Sequence, residues 1–184
     1  MNLTANLYYD ELVDRCKNGD QAGYAMLYQR YARAMFNTSL RIVNNRADAE
    51  DILQESFLAA FRLENFDYSS TFGAWLKRIV VNKSIDVIRR RHRGAAELEE
   101  IHTGIPAEEA MDDSIPPGLT VEKIKEALIG LPAGYRAVLS LYLFEDYSYG
   151  EIAALLQVSE VTVRTQYHRG RKKLQELLQK GGTV

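Results

Sequence analysis

The sequence predicts an all-α protein of two small helical domains joined by a flexible acidic linker, on three observations. Apolar residues recur at three- and four-residue spacing nearly everywhere, which places them on single helix faces. No stretch shows the strict polar-apolar alternation of a half-buried strand. Between the two helical halves lies "GAAELEEIHTGIPAEEAMDDSIPPG", residues 94–118, with three prolines, seven acids and no lysine or arginine. That segment can bury little apolar surface and reads as a flexible acidic linker. Domains over residues 1–93 and 119–184 follow, and the second contains a helix-turn-helix.

Taken in order, the spacing predicts helices over 8–17, 21–43, 48–64, 71–93, 121–129, 132–144, 148–157 and 159–178. Asp48 opens "DAEDILQESFLAAF" and is the candidate acceptor for that helix's first free amides. Its apolar side is Ile52, Leu53, Phe57, Ala60 and Phe61; opposite them, Asp51, Glu55, Leu58 and Arg62 recur at helical spacing. The helix over 71–93 carries Phe72, Leu76, Ile79 and Val80 on one face and Arg78, Asn82, Asp86, Arg89 and Arg93 on another. Pro132 suits a first helical turn, where its missing amide donor is not needed. Ser148 and Glu151 form a capping-box pattern, and Ser159 offers a fresh cap a few residues on. Two caps so close imply two helices joined by a tight turn. In "YSYGEIAALLQVSEVTVRTQYHRGRKKLQELL", Ile152, Ala153, Leu155, Leu156, Val158, Val163 and Tyr167 suit the inner faces of such a pair.

Composition excludes several classes. A hydrophobic fraction of 46% suits a globular chain, and no apolar run approaches the ~20 residues of a bilayer span, so no membrane insertion is expected. The opening "MNLTANLYYDEL" lacks the order of a secretory signal, and a cytoplasmic protein is expected. One cysteine, Cys16, builds neither a disulfide nor a multi-thiolate zinc site. There is no phosphate-binding loop, dinucleotide fingerprint, zinc-protease motif or nucleophile elbow, so neither an enzyme nor a cofactor is expected. The carboxylates around Asp51 and Glu55 have no histidine near them in sequence, which leaves them a docking or solvated face rather than a catalytic pair.

The net charge of −2 hides a segregation. "KRIVVNKSIDVIRRRHR", residues 77–93, holds seven Lys and Arg against the single acid Asp86, immediately before the acidic linker. A basic helix preceded by "ENFDYSSTFGAW" sets Phe66, Tyr68, Phe72 and Trp75 beside cations, a pattern that serves either a core or the stacking of unpaired bases. On the last helix, Arg164, Thr165, His168, Arg169 and Lys172 are the expected outward positions for phosphates or base edges in a major groove. Gln157 stands in the turn where glycine is common.

"DAEDILQESFLAAF", "FGAWLKRIVVNKSIDVIRRRHR" and "LPAGYRAVLSLYLFEDYSYGEIAALLQVSEVTVRTQYHRGRKKL", in that order around an acidic linker, resemble an extracytoplasmic-function (group IV) sigma factor of bacterial RNA polymerase. The resemblance implies a region 2-like domain at 1–93 and a region 4-like domain at 119–184, with core RNA polymerase, promoter DNA and an anti-sigma factor as partners. It places Asp51, Gln54, Glu55 and Leu58 at the polymerase, and Tyr68, Arg78, Asn82, Lys83, Asp86, Arg89 and Arg90 at the −10 element. Asn82 matches the asparagine of the family's W-L-x-R-I-x-x-N pattern and is the candidate to hold an extruded base. Arg164, Thr165, His168, Arg169 and Lys172 would read the −35 element, and the linker is either a solvated tether or a polyanion in the RNA exit path. Gln157, Gln166 and Gly170 depart from the family's common pattern. A free-standing helix-turn-helix regulator is the rival reading; a docking helix and a strand-binding stripe count against it.

Overall fold

The computed structural model describes residues 11–62, 66–94 and 120–180, with residues 92–94 and 180 by backbone alone. Eight helices run through them: α1 (residues 11–17), α2 (Gln21–Val43), α3 (Arg46–Ala60), α4 (Phe72–Gly94), α5 (Val121–Ile129), α6 (Ala133–Phe144), α7 (Tyr149–Leu156) and α8 (Glu160–Lys180). None of the described residues forms a strand. Residues 8–10 of the first expected helix and the linker positions 95–118 lie outside the described residues. The chain divides into two compact units, one drawn from residues 1–40 and 45–84, the other from 41–44 and 85–184.

In the first unit, α1 ends at a turn through Gly19, and Asp20 opens α2 by accepting the Ala22 amide at 2.9 Å. Arg15 holds the same carboxylate at 2.6 Å, which keeps Asp20 below the usual carboxylate range. Cys16 is buried on α1, and burial pushes its thiol up, which leaves it protonated and unreactive. The start of α3 differs from expectation. Asn45, in extended conformation, accepts the Asp48 amide at 3.1 Å, so the helix begins at Arg46 and Asp48 lies in its first turn. Asparagine there is as good a cap as aspartate, and it comes first along the chain. The helix also stops at Ala60 rather than 64, with the Phe61 amide donating to Phe57 O at 2.8 Å.

Thr71 caps α4 by accepting the Ala74 amide at 3.2 Å. Leu27, Met35, Ile52, Leu53, Phe57, Phe72, Leu76 and Val80 bury together as this unit's core. Gly73 is required by contact: a Cβ there would stand 2.6 Å from Tyr31 Cε1, closer than any side chain tolerates. Ser84 ties α4 to α2 by donating to Ser39 Oγ at 3.1 Å, or to its own helix at Val80 O at 2.7 Å.

In the second unit, Thr120 caps α5 through the Lys123 amide at 3.3 Å. Pro132 lies at the N-cap of α6 rather than in its first turn; its φ of −51° and ψ of 146° extend the chain just before the helix. The Ser148–Glu151 capping box closes in both directions, and it holds the Glu151 carboxyl below its ordinary value. The core is Leu128, Leu131, Leu139 and Leu174, with Ile124, Tyr135 and Tyr167 against it. Gly170 lets α8 approach α6, since a Cβ would lie 3.0 Å from Tyr135 Cβ and 3.2 Å from Leu139 Cδ1.

The last carbonyls of α2 have no partner within their own helix. Arg136, only 6% exposed, donates Nε to Ile42 O at 3.4 Å and Nη1 to Leu131 O at 2.7 Å. Arg91 serves Val43 O at 3.2 Å and Ser140 serves Arg41 O at 3.5 Å. Burial pulls the pKa of Arg136 below the ordinary arginine value, and the carbonyl dipoles repay part of that cost. Arg41 pairs with the buried Glu145 and lies over the Phe144 ring at 5.1 Å.

Candidate nucleic-acid interface

The helix-turn-helix of the second unit turns on Gln157. Its φ of 58° and ψ of 44° are left-handed, and its amide donates to Ala153 O, followed by the Val158 amide to the same oxygen at 3.1 Å. This closes α7 as a C-terminal glycine would. Glutamine stands where a Cβ costs about 1 kcal/mol, and its side-chain oxygen accepts a charge-assisted bond from Arg89. Ser159 then caps α8 by accepting the Thr162 amide at 3.1 Å. Ile152, Ala153 and Val163 are buried between the crossing helices, as expected for the inner faces.

On α8, Arg164, His168 and Lys172 are exposed and Arg169 is half-buried. Thr165 departs from expectation. It is 7% exposed, and its hydroxyl turns back to donate to Val161 O at 2.9 Å. One residue after Arg164 rotates it by about 100° toward the buried side, where a hydroxyl's best partner is its own helix.

Arg164 is held before any ligand arrives. Its Nη2 lies 2.8 Å from Glu160 Oε1, and its guanidinium sits 5.2 Å over the Tyr149 ring. Tyr149 stacks on Tyr142 at 4.7 Å and meets Tyr167 edge-on at 5.5 Å. Burial, then Tyr142, pushes the Tyr149 hydroxyl up to about 12, so the ring under Arg164 stays neutral. The Glu160–Arg164 pair was readable from its i,i+4 spacing; the tyrosine platform comes from three elements and was not.

In the first unit, α4 presents Arg78 and Asn82 to solvent, while Lys83 is half-buried and paired with Glu55 of α3 at 2.8 Å. In the second, Asp86 and Arg90 are exposed and Arg89 is half-buried, its Nη1 3.4 Å from Asp86 Oδ1. The Arg93 side chain lies outside the described residues. Of the rings at and before the start of α4, Phe66 and Phe72 are buried, Trp75 is half-buried and packed on both, and Tyr68 is 41% exposed. On α3, Asp51, Gln54, Glu55 and Leu58 share an exposed face, Leu58 at 69%. An apolar side chain left in water among carboxylates fits a docking face for a basic partner.

Comparison with known proteins agrees with this arrangement. Residues 27–94 match the family model Sigma-70 region 2, and residues 121–174 match Sigma-70, region 4. The ECF RNA polymerase sigma factor SigW of Bacillus subtilis is 30% identical over 176 residues, covering 90% of this chain and 94% of that protein. The RNA polymerase sigma factor CarQ of Myxococcus xanthus is 33% identical over 90% of this chain and 95% of its own length. SigE of Mycolicibacterium smegmatis is 36% identical over 88% of this chain, which spans 65% of that longer relative. Among solved structures, CnrH in complex with the cytosolic domain of CnrY is similar at a TM-score of 0.52 and 28% identity, over 92% of this chain and 96% of that one.

Proposed function

This chain belongs to the extracytoplasmic-function sigma factors of bacterial RNA polymerase, and from that premise we propose how its residues divide the work of directing promoter-specific transcription initiation. Asp51, Gln54, Glu55 and Leu58 dock α3 on core polymerase. Arg78, Asn82, Lys83, Asp86, Arg89 and Arg90 of α4, with Tyr68 before it, engage the −10 element and hold it open. Arg164, His168, Arg169 and Lys172 read the −35 element; Thr165 supports α8 from its buried side. The region 2 and region 4 matches, in order along one helical chain, carry the reading. The 1–93, 94–118 and 119–184 division follows from it, as does a cytoplasmic protein without chemistry of its own.

An anti-sigma factor is part of the same proposal. It is supported by the similarity to CnrH, whose structure holds the cytosolic domain of CnrY. Such a partner would cover the Leu58 face and so compete with polymerase. Run-off transcription from a promoter library, with purified core polymerase and with or without this protein, tests the central reading. Transcripts from a defined promoter set only in its presence are expected; none, with an active core, would sink it.

A further inference from the structure

The first helix, α1, precedes the residues that match Sigma-70 region 2, which begin at 27. It nevertheless touches the loop before α4 at three places. The Tyr68 hydroxyl donates to Asp14 Oδ1. Lys17 Nζ lies 4.2 Å from the Tyr68 ring centroid and reaches Phe66 O at 3.5 Å. From behind, the buried Phe66 ring meets Tyr68 at 4.7 Å and Trp75 at 5.2 Å.

Tyr68 needs that support. Its φ of 60° is left-handed, a conformation that costs a tyrosine roughly 1–2 kcal/mol. Asp67 holds the other side of the turn by accepting from Ser69 N at 3.0 Å and Ser69 Oγ at 2.7 Å. The result is a ring fixed at its hydroxyl, covered on part of its surface by an ammonium, and still 41% exposed. A fixed, partly exposed ring beside a cation is what an unpaired nucleotide needs: a surface for the base and a charge for the phosphate.

We propose that Asp14 and Lys17 are positioning residues that preset Tyr68 to receive one unpaired base of the −10 element. The inference rests on Tyr68 being a strand contact. The hydrogen bond to Asp14 also raises the Tyr68 pKa, so the hydroxyl remains a donor throughout the working range of pH. Lys17, beside the ring, adds the salt-sensitive part of the attraction.

The test uses the full chain assembled with core polymerase and a fluorescent non-template strand of a promoter found by run-off transcription. The strand is either intact or made abasic at one −10 position at a time. The parent should lose affinity by about five- to tenfold at one abasic position, the order expected for one stacked base. Asp14→Ala should bind the intact strand about five- to tenfold more weakly and lose nothing further at that position. Asp14→Asn, which keeps an acceptor oxygen, should recover most of the affinity, and Lys17→Ala should flatten the salt dependence. If Asp14→Ala fails to assemble, Tyr68→Phe removes only the donating hydroxyl and makes the same comparison. Parental affinity in Asp14→Ala and Tyr68→Phe, or undiminished sensitivity of either at the abasic position, overturns the proposal. A parent that binds the strand but ignores every abasic position overturns the stacking role itself, and the positioning role with it.

Discussion

Arg164 carries a charge that Glu160 and Tyr149 already hold in one place, so little side-chain freedom remains to be lost when it meets a base edge. Arg164→Ala should weaken −35-dependent recruitment by ~1–3 kcal/mol, measured as holoenzyme affinity on promoters with intact and scrambled −35 elements. Equal losses on both would reassign it to phosphate contact. Asn82 makes a different claim. It stands exposed on α4 one turn from Arg78, and an amide reads a base edge only once the base has left the stack. Asn82→Ala should therefore slow promoter opening, followed by 2-aminopurine fluorescence, while leaving duplex binding near the parental value. Parental opening rates would remove Asn82 from strand capture. Thr165 shows the limit of reading faces by number alone: near the boundary between faces, a side chain goes where its hydroxyl finds a partner.

Among the elements, α4 and α8 were legible along most of their length because apolar residues repeat at helical spacing and, for α8, Ser159 marks the start. Their contacts were less so. Nothing local in the sequence says that Gly73 must accept the Tyr31 ring, or that Arg136 will complete the hydrogen bonding of α2; both arise from residues far apart in the chain. The same reason hid Asp14 and Lys17, whose target lies some fifty positions on. The exposed face of α3 was readable as a pattern, since polar residues and Leu58 fall opposite a full apolar stripe. Gly73→Ala should lower stability by ~1–3 kcal/mol, because the added methyl displaces the half-buried Tyr31 ring from its place against Phe72 rather than filling a gap. Arg136→Ala should cost ~2–4 kcal/mol by leaving buried carbonyls unpartnered. Thermal or urea unfolding measures both, and an unchanged midpoint for either would show that neighbours or water take over the contact.

For the whole molecule, acid sensitivity follows from three carboxylates. Asp20, Asp67 and Glu151 are held below their ordinary carboxylate values by hydrogen bonds to Arg15, Ser69 and Ser148 in turn. Folding depresses each pKa, so their stabilisation is fully present above the unfolded values and is lost as pH falls through the folded ones. Unfolding midpoints should be flat from neutrality down to about pH 5 and fall below it, each carboxylate adding little because Asp67 and Glu151 are exposed and Asp20 is partly in water. A midpoint that rises on acidification would contradict this. Charge is also shared between tasks. Glu55 belongs to the face proposed for polymerase, yet it bridges at 2.8 Å to Lys83 of α4, the helix proposed for the −10 element, with both groups partly in water. A bridge so exposed contributes ~1 kcal/mol at most. It is therefore a bond suited to exchange. If the docking proposed for α3 brings a cation to Glu55, Lys83 would lose this carboxylate partner, and binding at one helix would change the charge that the other offers.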